Sequence, residues 1–238
     1  MPEQNSQTKD ATNKIRIITQ VLTTALKLWL RAQVSQISDL EVEIKASDRQ
    51  ILSGRIPSVS IFATDAIYQG LLITQIQLIA ENIRINIGSV LKGKPLRLLE
   101  TVPVVGDLII DEKDLNASLS SNLLSTALSD LLVKVLPTHC SQSQPITWQE
   151  IILDHNQIIL RGIRVTNSET TPLEICLSSQ LLNGHELQLA HIKIKPDQGD
   201  VLEDNHEYNL DLGSDVDIQE LTLIPGKLVC RGRINVNP

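Results

Sequence analysis

The residue types that could carry chemistry are few and scattered. Five histidines, His139, His155, His185, His191 and His206, stand far apart, and none pairs with a Cys or carboxylate at metal-ligand spacing. His139 and Cys140 are neighbours, but adjacent residues rarely point at one site, and Cys140 has no placed base to make it a nucleophile. Asp215 and Asp217 share a strand face and could take a cation, although a solvated edge is the simpler reading and no EF-hand loop is present. The nucleophile elbow, the Walker loop, the dinucleotide fingerprint and the zincin helix are all missing. The expectation is a protein that is not an enzyme, with no cofactor and no metal.

What the chain has in quantity is aliphatic surface. About 65 of its 238 residues are Ile or Leu, whereas aromatics make up 2%. That supply of branched aliphatics excludes a disordered chain. The scarcity of aromatics argues against stacking platforms for RNA or single strands. A net charge of −7 argues against a duplex-DNA binder, so no nucleic-acid partner is expected. A mean hydropathy of +0.01 is high for a chain of that charge, and the surplus apolar surface could serve a ligand as well as a core.

The charge is divided along the chain. Residues 14–97 carry eleven Lys and Arg against six Asp and Glu, whereas Asp197, Asp200, Glu203, Asp204, Glu207, Asp211, Asp215, Asp217 and Glu220 form an acidic tract. Lys92, Lys94 and Arg97 cluster around Gly93 and Pro95 in an expected loop. Such asymmetry either orients a protein on an anionic membrane surface or is two solvated faces.

Periodicity supplies the elements that must position these residues. Ile15, Ile18, Leu22, Ala25, Leu26 and Trp29 recur at three and four, predicting a helix over 13–37. Alternation predicts strands near 40–45, 58–63, 71–78 and 83–87, then 102–110 with Pro103 marking an edge or bulge. A second helix is expected from Asp111 to Leu136, ended by Pro137. Hairpins follow at 146–165 and at 216–236, the last about Pro225-Gly226, with two more strands at 173–180 and 187–194 between them. Ile51-Leu52-Ser53-Gly54, Ile159-Leu160-Arg161-Gly162 and Val229-Cys230-Arg231-Gly232 form a weak internal repeat. The fold class is α+β: residues 1–12 form a disordered polar N-terminus and residues 13–238 a single domain.

Several spaced motifs then agree in order: Ile67-Tyr68-Gln69-Gly70-Leu71, Asp111-Glu112-Lys113-Asp114-Leu115-Asn116, Leu182-Asn183-Gly184-His185-Glu186-Leu187, Leu210-Asp211-Leu212-Gly213-Ser214-Asp215-Val216, and Gly226 to Pro238. With them, residues 15–238 resemble the LmeA-like phospholipid-binding family, in particular its cyanobacterial branch. The resemblance implies a tubular-lipid-binding type of fold, a strongly curved antiparallel sheet wrapped around the long N-terminal helix. It implies phospholipid as the partner. Exported members of the family act at a cell envelope, but residues 1–12 hold no signal peptide, and no apolar stretch is long enough for a transmembrane helix. The expected location is therefore cytoplasmic, peripheral to a membrane.

The first functional reading is non-catalytic binding of phospholipid acyl chains in an apolar groove, for lipid carriage or membrane-lipid homeostasis. An aliphatic groove gains about 0.8 kcal/mol for each acyl CH₂ removed from water. Ile18, Leu22, Leu26, Trp29, Leu119 and Leu123 are the candidates to line it or face the membrane, and Lys92, Lys94 and Arg97 the candidates for the head group. Trp29 has a second reading as plain core. The alternatives are a structural or scaffold protein with a self-filled core, and a hydrolase or transferase acting on a lipid. Protein partners are not legible.

Overall fold

The computed structural model describes residues 5–135, 146–165, 170–196, 201–204 and 206–238. His139, Cys140, Pro137, Asp197 and Asp200 lie outside the described residues, as does the 136–145 connection. The chain runs α1 (Asn5–Gln33), β1 (Leu40–Lys45), α2 (Asp48–Leu52), β2 (Arg55–Tyr68), β3 (Leu71–Arg84), α3 (Ile87–Val90), β4 (Val102–Asp111), α4 (Glu112–Ala117) and α5 (Asn122–Val135). It continues through β5 (Ile146–Asp154), β6 (Gln157–Val165), β7 (Thr170–Asn183), β8 (Glu186–Pro196), β9 (Leu202–Asp204), β10 (Tyr208–Asp211), β11 (Val216–Ile224) and β12 (Lys227–Val236).

The architecture is α+β and antiparallel, as expected, but one expectation is corrected. The described residues form two sheets, ordered β1-β2-β3-β4-β12-β11 and β10-β8-β7-β6-β5, with β9 added on β8. Neither closes or curls strongly around α1. The reason lies in the connections: β4 is followed by α4 and α5, which carry the chain into a new sheet, and the β11–β12 hairpin then returns to β4. Each sheet has its own core and its own helix. Leu22 and Leu26 of α1 are buried with Ile51, Ile56, Val59, Ile83 and Val104 on the first sheet. Leu128 of α5 is buried with Ile151, Leu160, Ile175, Ile192 and Leu223 on the second.

Local boundaries differ for physical reasons. α1 takes in the polar residues 5–12 and stops at Gln33, four residues before its expected end. The strands expected at 71–78 and 83–87 are one strand, β3, followed by α3. Asn82 adopts φ 54°, and this left-handed residue resets the alternation so that Ala80 and Ile83 are both buried. The helix expected at 111–136 is broken into α4 and α5. Ser118 ends α4, donating to the Asp114 carbonyl and accepting from the Leu72 amide, and the Ser121 hydroxyl accepts from Leu124 N to begin α5. Pro103 sits on β4 beyond the last residue paired with β3, so its missing N–H costs no ladder bond there.

Two of the three repeat copies are structurally equivalent. In β5–β6 the register shifts between Trp148 and Glu150, opposite Gly162 and Arg161. In β11–β12 it shifts between Ile218 and Glu220, opposite Gly232 and Arg231. The hairpin tips meet reciprocally: Asn156 N donates to Leu223 O at 3.3 Å, and Gly226 N donates to Leu153 O at 2.9 Å. These are corresponding positions, so the hairpins form an approximate two-fold pair. The third copy is different, since Ile51 and Leu52 end the helix α2. A Cβ on Gly232 would stand 2.7 Å from Asp217 O and 2.9 Å from Ile218 Cα, both backbone, whereas Gly162 meets its nearest neighbours at 3.0 Å. Gly232→Ala is expected to cost about 1–3 kcal/mol, and more than Gly162→Ala, in urea denaturation.

Arg161 and Arg231 also match. Arg161 bridges Glu150 and Glu174, which also binds Lys195, and Arg231 binds Asp107. Hydrogen bonds from Lys195 and Arg161 hold the Glu174 carboxyl below its ordinary range. Because the folded value is lowered, this stabilisation is present above the unfolded Glu value near ~4.3 and is lost as pH falls through the folded one. Acid titration of unfolding should show the wild type losing more stability below pH ~4.3 than Glu174→Gln, by about 1 kcal/mol or less.

Candidate functional site

The first sheet carries an open cleft of about 700 Å³ between α1 and the β3–β4 connection. One wall is a stripe of α1, Val21, Thr24, Ala25, Leu28, Trp29 and Ala32, and the other is Val90, Gly93, Lys94, Pro95 and Leu96. Spacings of three and four place the stripe on one helix face. The volume lies within the range of roughly 300–1,000 Å³ usual for small-molecule sites. Its lining is chiefly apolar, and Leu28 is 62% exposed. An aliphatic side chain left bare beside other apolar residues is a surface that a ligand can cover.

The second wall is built by local chemistry. Gly93 takes φ 74° just past α3, where its N–H donates to Val90 O, and Lys94 N donates to Ser89 O. This left-handed C-terminal turn fixes where Lys94 leaves the helix. Asn86 closes the base of the connection: its Nδ2 donates to Pro95 O at 3.0 Å and its Oδ1 accepts from Arg97 N at 2.8 Å. Lys94 thus stands at the rim of an apolar cleft, with no carboxylate paired to it among the described residues.

Of the expected residues, the structure brings Trp29 and Lys94 together on this cleft. Lys92 and Arg97 are exposed on the same connection, either side of Lys94. Leu22 and Leu26 belong to the buried core beneath it and do not line it. The side chain of Ile18 lies outside the described ones. Leu119 packs against the second sheet's core, and Leu123 is exposed on α5, so neither joins the site. Val21, Leu28 and Ala32 are not among the expected groove residues, although with Ala25 their spacing of four, three and four is legible in the sequence.

The motif residues lie elsewhere and act as clamps. In α4, Asn116 donates to Ile151 O and accepts from Ile151 N, and Glu112 accepts from Leu153 N, so both occupy the free edge of β5. Asp114 accepts from Thr74 on β3 at 2.6 Å, tying the same helix to the first sheet. Gly184 O accepts from Ile218 N, and His185 O accepts from Leu212 N, joining two further motifs.

Elsewhere the chemistry is thin. Ser178 Oγ lies 3.0 Å from His191 Nδ1 on the exposed face of β7 and β8, but the hydroxyl also donates to Ala190 O, and among the described residues no carboxylate orients the ring. Burial pushes the Cys176 and Cys230 thiols above their ordinary values. Asp217 is paired with Arg233. Among the described residues there is no group of three or more metal-ligating side chains, and no helix is long and apolar enough to cross a membrane.

Comparison with known proteins adds one finding. The family model for LmeA-like phospholipid-binding proteins matches residues 14–233. No curated protein and no solved structure matches the chain.

Proposed function

The chain belongs to the LmeA-like phospholipid-binding family, and from that premise we propose that it holds a phospholipid acyl chain in the cleft between α1 and the β3–β4 connection. The acyl chain lies along Val21, Ala25, Leu28 and Trp29, and the phosphate meets Lys94, flanked by Lys92 and Arg97. The observation that carries this reading is the unfilled apolar cleft, lined by the bare Leu28 and by a Lys94 that has no ion-pair partner among the described residues. Each CH₂ removed from water there contributes about 0.8 kcal/mol, and the lysine supplies a charge-assisted bond to the head group. Residues 13–238 act as one lipid-binding unit, a variant of the tubular-lipid-binding theme with two open sheets. The protein works without catalysis at the periphery of an anionic membrane, in lipid carriage or homeostasis.

A scaffold with a self-filled core is disfavoured by a cleft that the protein's own side chains leave open. A lipid hydrolase is disfavoured because Ser178 and His191 lie outside the cleft and have no carboxylate partner among the described residues. The test is solvent extraction of the purified protein with mass spectrometry, together with uptake of a fluorescent phospholipid. Bound phospholipid and saturable uptake are expected; neither co-purified lipid nor uptake would sink the reading.

A further inference from the structure

A second cleft, of about 710 Å³, opens at the same end of the first sheet and is chemically unlike the first. Arg49, Arg55, Arg84 and Glu100 line it, and Ile56 and Ile83, which also border it, belong to the buried core. Arg55 and Arg84 are direct cross-strand partners in the β2–β3 ladder. Like charges in that position repel and destabilise a sheet. Glu100 relieves half of the problem, since Arg84 Nη1 donates to it at 2.7 Å. Arg55 has no such partner, and neither does Arg49 on α2. Both side chains make no ion pair or hydrogen bond among the described residues. Two free guanidinium forks lining one cleft match the planar, two-pronged recognition of phosphate.

The margin of this cleft is apolar where solvent would favour polar residues. Leu52 adjoins the lining residue Ser53 and is 54% exposed, and Leu99 adjoins Glu100 and is 57% exposed. Segments 47–57 and 81–100 together carry Arg49, Arg55, Arg84, Lys92, Lys94 and Arg97 against Asp48, Glu81 and Glu100, within a chain of net charge −7. Positive charge is therefore concentrated where the exposed leucines are. An anionic bilayer is complementary to both features at once: its phosphates meet the cations and its hydrocarbon border takes the leucines.

We propose that the arginine cleft binds the phosphate of a membrane lipid head group and, with Leu52 and Leu99, seats this end of the molecule on an anionic bilayer. The β3–β4 connection lines both clefts, so docking here brings the mouth of the first cleft to the membrane. The bilayer as phosphate source rests on the lipid-binding reading above; the anion site itself stands on the unpaired arginines.

Co-sedimentation of the full chain with phosphatidylcholine vesicles, with and without phosphatidylglycerol, tests this. The wild type should bind the anionic vesicles at least about tenfold better, and less well as salt rises. Arg49→Glu with Arg55→Glu should abolish the preference, Arg49→Lys with Arg55→Lys, which keeps the charge and loses the fork, should retain only part of it, and Leu52→Asp with Leu99→Asp should weaken binding to both vesicles. The exposed single variant Arg49→Ala, which leaves the ladder untouched, should lose a severalfold share even if the double reversal misfolds. Equal binding to both vesicles, or Arg49→Ala and the double reversal sedimenting like the wild type, would overturn the proposal. Saturable binding of inorganic phosphate with no vesicle preference would overturn the bilayer as its source. Lipid retained in the first cleft without vesicle preference defeats this inference alone; vesicle preference without extractable or exchangeable lipid defeats the function proposed above alone.

Discussion

Leu28→Glu should strip the protein of bound phospholipid while leaving the fold intact. The side chain is largely exposed, so its replacement is expected to change stability by less than about 0.5 kcal/mol. The same position lines the apolar cleft. A carboxylate there must either lie charged against hydrocarbon, which costs several kcal/mol unless it is paired, or take Lys94 as its partner. The first outcome repels the acyl chain and the second removes the phosphate's lysine. Affinity should fall at least about tenfold, or about 1.4 kcal/mol. Extractable lipid and fluorescent-lipid uptake measure it, and Leu28→Met serves as the volume-conserving control. Wild-type loading in Leu28→Glu would move the site elsewhere.

Leu22→Ala is the counterpart on the buried face of the same helix. Leu22 is fully buried in the core beneath the cleft. Removing it leaves a void that the branched aliphatics around it refill only in part, at an expected cost of about 2–5 kcal/mol. That is a large part of the roughly 5–15 kcal/mol total of an ordinary domain. Urea denaturation should show a lowered midpoint with an unchanged slope. Leu123→Ala, at an exposed position on α5, should cost well under 1 kcal/mol. If the two variants melt alike, α1 does not hold the first sheet's core.

The hairpins at 146–165 and 216–236 were legible because both strands alternate and the turns carry Asn156 and Pro225-Gly226. The division into two sheets was not, since nothing local records that β12 must return to lie beside β4. The merging of 71–78 and 83–87 escaped because Asn82 shifts the phase of burial by one residue, and periodicity cannot see through a left-handed residue. Ser118 and Ser121 were weak signals inside a leucine-rich stretch, too faint to break a helix by inspection. At the site, the charge cluster Lys92, Lys94, Arg97 could be read from composition, but which face of α1 stays open could not. Leu22 and Leu28 are the same residue type on one helix, and only packing decides that one is core and the other rim. The motifs that carry the family resemblance turn out to hold the sheets together, so they identify the fold better than they identify a ligand contact.

The position of β12 between β4 and β11 sets an order of events during folding. Strands β1 to β4 pair with near neighbours in the chain and can assemble early. The other side of β4 has to wait for residues 227–236, with the whole second sheet made in between. For that interval β4 is an open edge, free to accept a strand from another molecule. Pro103, which has no N–H to offer, and the charged Asp107 stand on this strand. They blunt the edge while it is exposed, and Arg231 finds Asp107 when β12 arrives. The carboxylate that guards the open edge thus ends as Arg231's partner in the finished sheet.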